Sequence, residues 1–123
     1  ETIELERSGE VVVFGASMGA CVATTVSTYE QVIGGVAASS VESISKNMNL
    51  IPFAPKGMFY IAGELDKSEA LGIDFELDAI ALWNNTDEPK HFEIKPATAA
   101  HGVDLFEGDT DLLNKTIDWV RNL

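Results

Sequence analysis

Cysteine is almost missing from this chain: Cys21 is the only one in 123 residues. No disulfide can form within the chain, and no Cys/His cluster has metal-ligand spacing, so no metal is expected. Cys21 itself reads as a small buried filler rather than a reactive thiol. Basic residues are scarce too, with 8 Lys and Arg against 20 Asp and Glu, for a net charge of −12. A polyanion would be repelled and no basic stripe exists to release counterions, so no nucleic-acid partner is expected. An anionic membrane surface is disfavoured on the same ground, and the charge reads as solubility. Long apolar runs are lacking, which excludes a transmembrane helix. No secretory signal is present either, and a cytoplasmic protein is expected. Glu1 rather than Met opens the chain, which leaves processing, a removed tag or an origin in something longer open. A G-K-[ST] P-loop is absent, and G-A-S-M-G-A lacks the G-x-G start of a dinucleotide fingerprint, so no cofactor is implied.

What is there suits a globular α/β protein: 46% hydrophobic residues and ten glycines, in one domain spanning 1–123. Such a length buries roughly two-thirds of the surface its unfolded form exposes. Strands are predicted at Val11–Gly15, Ile33–Ala38, Met58–Ala62 and Phe92–Lys95, mostly apolar throughout, as in a parallel sheet covered on both faces. Helices are predicted at Met18–Thr28, at Val41–Asn49 with Ser39 or Ser40 as cap, and from about Ser68 to Asn84. The last follows Asp109 or Thr110 and carries Leu112, Leu113, Ile117 and Val120 along one face. Strand–helix four times over predicts a parallel sheet with right-handed crossovers. The three connecting helices then share one face, and only the C-terminal helix is left for the other. One helix cannot cover four two-faced strands well.

The most informative stretch is VVVFGASMGA, residues 11–20. An apolar strand runs into Gly15-Ala16-Ser17-Met18-Gly19 and a helix-compatible segment follows, as when a serine sits on a sharp strand–helix turn. Gly15 and Gly19 flank Ser17 where larger side chains would collide. An acid and a histidine follow in order: Asp66 closes MFYIAGELD and His101 lies in Ala99-Ala100-His101-Gly102. All three fall at the C-terminal ends of predicted strands, the edge where open parallel sheets place their sites. Glu64 and Asp74 compete locally with Asp66, which could itself serve only as a helix cap. His91, beside Lys90, reads as a surface residue.

These segments resemble the α/β-hydrolase family of serine esterases and lipases. Residues 11–20 look like its nucleophile elbow, IGGVAASS like the next strand, MFYIAGELD like the acid loop, and 99–102 like the histidine loop. The likeness covers nearly the whole chain, but only the second half of a usual family member. It implies Ser17 as nucleophile, His101 as general base, Asp66 as the acid orienting it, and the Met18 N–H as one oxyanion donor. A usual member carries several elements before the elbow, including the loop with the second oxyanion donor; nothing in Glu1–Glu10 resembles it. The lid is not evident, though the Ala38–Lys56 connection could supply a small one.

The expectation is therefore a reduced α/β-hydrolase fold of about four parallel strands, three-layered when completed by a partner. Val11–Phe14 would form an exposed apolar edge, an aggregation hazard unless covered. It is expected to pair with the same strand of a second chain, or to pack the bare sheet face there, making a homodimer or other homo-oligomer. A missing N-terminal half is the rival. The implied function is hydrolysis of small carboxylic esters through an acyl-Ser17 intermediate. The alternatives are a non-catalytic binding or assembly module, half of a two-chain hydrolase, or a thioesterase, amidase or peptidase.

Overall fold

The computed structural model describes the backbone of residues 2–7 and, in full, residues 9–48 and 52–123. In chain order the elements are β1 (Thr2–Arg7), β2 (Glu10–Ala16), α1 (Met18–Val26), β3 (Val32–Ala38), α2 (Glu42–Lys46) and β4 (Met58–Gly63). There follow β5 (Lys67–Ser68), β6 (Ile73–Asp74), α3 (Phe75–Asn84), β7 (His91–Lys95), a 3-10 turn (Gly102–Phe106) and α4 (Thr110–Arg121). The main sheet runs β1-β2-β3-β4-β7. Its last four strands are mutually parallel, giving a general α/β fold.

The strands are two-faced, as their apolar runs predict. In β4, Met58, Tyr60 and Ala62 enter the core on the face covered by α1 and α3, while Phe59 and Ile61 enter the core beneath α4. The first face also holds Ala20, Ala23, Phe75, Ala79 and Leu82; the second holds Val36, Leu105 and Leu112. Small residues at α1 bring that helix close to the strands. Its buried hydroxyls are satisfied: Thr25 Oγ1 donates to Ser45 O in α2 at 2.7 Å, and Thr24 Oγ1 to Ala20 O one turn back in α1 at 2.8 Å. Glycines set the spacing where β3 meets β4: a Cβ on Gly34 would land on the Gly57 carbonyl oxygen.

Four expectations are corrected. The elbow strand is not an open edge, because β1 pairs with it antiparallel from Thr2↔Gly15 to Arg7↔Glu10. Thr-Ile-Glu-Leu-Glu-Arg alternates with period two, and Gly9, at φ +80, closes the hairpin. Strand-to-strand pairing through β2 is thus closed to a second chain. The segment after Asp66 does not start a helix at Ser68. Lys67–Ser68 pairs with Ile73–Asp74 as a short hairpin, with Gly72 at φ +66 in its turn, and Asp74 then caps α3 by accepting from Glu76 N and Leu77 N. The helix expected over Val41–Asn49 is confined to Glu42–Lys46 and its N-cap is Val41, not Ser39 or Ser40; Asn49 lies outside the described residues, as do 50 and 51 of the candidate lid.

The fourth correction concerns α4. Its buried stripe is Leu112 and Thr116, whereas Leu113 and Ile117 are 46% and 38% exposed. They line, with Val12, Phe14 and Val120, an apolar groove of about 340 Å³ between α4 and β2. The chain therefore builds much of its own third layer, and one strip of that face is left open. Among the described residues no helix is long and apolar enough to cross a membrane.

Candidate active site

Ser17 sits between the last residue of β2 and the first of α1, at φ 58° and ψ −121°. That left-handed backbone is costly for a residue with a Cβ, by about 1–3 kcal/mol, and persists only where surroundings dictate it. Here the dictating contact is the approach of strand to helix: a Cβ on Gly15 would land on the Gly19 carbonyl oxygen. The Ser17 N–H donates to Ala38 O at 2.9 Å, tying the turn to the end of β3. A serine before a helix ordinarily caps it with its side chain. Ser17 makes no such bond, and its hydroxyl is turned toward His101 instead.

His101 Nε2 lies 2.9 Å from Ser17 Oγ, and His101 Nδ1 lies 2.7 Å from Asp66 Oδ2. A carboxylate can only accept, so Nδ1 carries the proton; in the neutral imidazole Nε2 is then bare and accepts from the Ser17 O–H. The structure thus brings together Ser17, Asp66 and His101 from three loops separated by up to 84 residues. Asp66 is 9% exposed; Ser17 is exposed and His101 half-buried, so the serine end of the chain of contacts faces solvent and the aspartate end does not. Met18 follows at the first position of α1, where a backbone N–H has no intrahelical acceptor.

The acid and histidine loops are stitched to one another. Glu64 N donates to Lys95 O at 3.0 Å, and Leu65 N to Thr98 O at 2.8 Å. Glu64 Oε1 accepts from Ala97 N at 2.8 Å, so Glu64 holds the histidine loop rather than the imidazole. Asp74 is occupied as the cap of α3 and pairs with Lys67 at 3.5 Å. His91 lies at the opposite, N-terminal end of the parallel strands, exposed, its ring against Phe59 and Trp119.

Two residues at the site were not singled out in the sequence. Phe75, the first residue of α3, sets its ring edge-on against His101 at 4.8 Å between centroids. Its N–H donates to Asp66 O at 3.1 Å, so one residue packs the imidazole and fixes the acid's backbone. Ser39 lies just past β3, and its Oγ accepts from Gly102 N at 2.8 Å. The only local sign of Phe75 was an apolar residue directly after a capping Asp; Ser39 stood in the sequence as a possible helix cap. Among the described residues no three His, Cys, Asp or Glu side chains converge as a metal site would need.

No protein-family model, no curated protein and no solved structure matches this chain. Its class is therefore defined by its own architecture: an α/β protein with a serine–histidine–aspartate contact chain at the C-terminal edge of a largely parallel sheet.

Proposed function

We propose that the protein is a serine hydrolase of the α/β-hydrolase kind, cleaving small carboxylic esters through an acyl-Ser17 intermediate. One observation carries the reading: Ser17 Oγ, both ring nitrogens of His101 and Asp66 Oδ2 stand in line at 2.9 and 2.7 Å. As Ser17 Oγ attacks the carbonyl carbon, His101 Nε2 takes its proton, and Asp66 stabilises the imidazolium through Nδ1. The Met18 N–H donates to the oxyanion of the tetrahedral intermediate. Collapse breaks the ester C–O bond, and the alcohol leaves with the proton from Nε2. Water then enters and gives a proton to Nε2 as its oxygen attacks the acyl carbon. The second intermediate collapses by breaking the C–Oγ bond, so that the acid leaves and Ser17 Oγ takes the proton back from Nε2. The exposed Ser17 and its exposed neighbour Met18, 59% accessible, suit short acyl groups that need no deep pocket.

A thioesterase, amidase or peptidase shares this machinery, and a binding module would share the fold; substrate comparison separates them. The test is hydrolysis of p-nitrophenyl acetate and butyrate by the chain and by Ser17→Ala. Saturable turnover lost by at least about 10⁴-fold in the variant is expected. Equal background rates in both would discard the reading and leave a non-catalytic module or one half of a two-chain enzyme.

The same reading includes association with a second copy. With β2 paired to β1, its support is the open apolar strip of Phe14, Leu113 and Ile117, floored by Val12. Sedimentation velocity of the chain and of Leu113→Asp/Ile117→Ser is expected to give a dimer and a monomer; monomers in both would remove this part.

A further inference from the structure

His101 lies on a loop, and catalysis by an imidazole tolerates little displacement: about 1 Å costs on the order of 100-fold. Its ring meets Ser17, Asp66 and Phe75. Its backbone is held at Gly102, the next residue, buried and at φ +61. There the N–H donates to Ser39 Oγ at 2.8 Å, across 63 residues of chain. A Cβ built on Gly102 would lie 3.6 Å from Ala16 Cβ and 3.9 Å from Ser17 N, so this part of the histidine loop rests on the elbow itself.

Ser39 is fully buried and holds φ +63, one of three non-glycine residues in the left-handed region among the described residues. Ser17 is another. The Ser39 N–H donates to Ile61 O at 2.8 Å, continuing the ladder between β3 and β4 past the end of the strand. Ala38, immediately before it, accepts from Ser17 N. Two consecutive residues at the tip of β3 therefore hold both reacting partners, the nucleophile by a backbone carbonyl and the histidine loop by a side-chain hydroxyl. A strained, buried serine whose side chain serves another loop is a position where the surroundings dictate the conformation. A purely structural site would be served better by glycine at that φ.

We infer that Ser39 is a positioning residue for His101: its hydroxyl fixes the Gly102 backbone and so sets the distance from Nε2 to Ser17 Oγ, without touching substrate. This rests on the hydrolase reading. The test uses Ser39→Gly, which removes the acceptor while relieving the backbone, with Ser39→Cys as a weaker acceptor of similar size. With p-nitrophenyl acetate, kcat is expected to fall about 10- to 100-fold in Ser39→Gly with KM within about twofold. Ser39→Cys is expected to lie between it and the parent. The imidazole ¹⁵N and Nδ1–H signals of His101 should shift in Ser39→Gly, although its melting temperature is close to the parent's. Unchanged kcat, a loss carried by KM, or a loss in Ser39→Cys as large as in Ser39→Gly would overturn the assignment. If the parent shows no Ser17-dependent turnover, the hydrolase reading fails by itself. The imidazole spectra then decide: shifted signals keep Ser39 as the brace of His101, and unmoved signals discard it.

Discussion

At the C-terminal edge of the sheet, Ser17 and Ser39 hold φ values of 58° and 63°, and polar groups reach across tens of residues to meet. On the face behind it, Tyr60, Ala20, Ala23, Ala79 and Leu82 are at most 2% exposed and make the contacts of ordinary close packing. The edge spends stability on geometry; the face supplies it by removing apolar surface from water. If that division holds, substitutions at the edge should change rates and leave stability alone, and substitutions in the core should do the reverse.

The largest separation is expected from Asp66→Asn. An amide can present its NH₂ group to Nδ1 and favour the wrong tautomer, so ester turnover should drop by about 10⁴-fold while the fold remains. A drop under tenfold, measured with thermal melts unchanged, would make Asp66 an incidental neighbour of the ring. Phe59→Ala is the mirror case. This 1% exposed ring packs beneath Trp119, 5.9 Å between centroids, and its truncation should cost about 3–5 kcal/mol in denaturant titrations. The kcat of the protein that stays folded should match the parent's; a parallel loss of kcat would show that the edge depends on the core more closely than proposed.

A smaller effect belongs to Tyr60→Phe. The hydroxyl, 2.6 Å from Thr86 Oγ1, is buried, and desolvation pushes its pKa far up despite that bond. Its loss should cost about 1 kcal/mol at neutral pH. In the unfolded chain the phenol ionises near about pH 10. The folded state holds the proton longer, so stability falls as pH rises past that value. The variant should lose this alkaline slope, which urea melts between pH 8 and 11 would show.

The smallest expected effect is at Asp78. Desolvation raises its carboxyl, and Glu42 and Asp74 add to the rise although Glu42 N–H, 3.4 Å from Oδ2, opposes it. An acid raised by folding loses stability as pH climbs from its unfolded value, about 3.9, through its folded one. Asp78→Asn should therefore melt slightly higher than the parent at pH 7 and no higher at pH 3. A lower melting point at pH 7 would mean that the bond from Glu42 outweighs the burial.

Much of the fold was legible locally. Two-faced apolar strands, the glycine pair around Ser17 and the Asp109 cap of α4 each follow from one short window of sequence. The hairpin of β1 is written in the alternation of residues 2–7 ahead of Gly9, while the apolar run of β2 by itself reads equally well as an open edge. Leu71, Phe75, Leu77 and Ile80 have near-helical spacing, yet α3 starts only at Phe75, and Leu71 is 74% exposed in a hairpin turn. Periodicity reports which residues are apolar and not which of them find a surface to cover.

The sequence by itself determined the four parallel strands, the sharp turn at Ser17 and the ordered appearance of serine, acid and histidine at strand ends, because these depend on near neighbours and on side-chain type. Only the tertiary structure decided that His101 bridges Ser17 and Asp66 while Glu64 and Asp74 serve elsewhere, and that Ser39 and Phe75 hold that arrangement. Distances of 2.7 to 2.9 Å between residues 35 to 84 apart depend on how whole strands register against one another. No local window of sequence carries that information, since strand registry is set by the packing of all the layers at once.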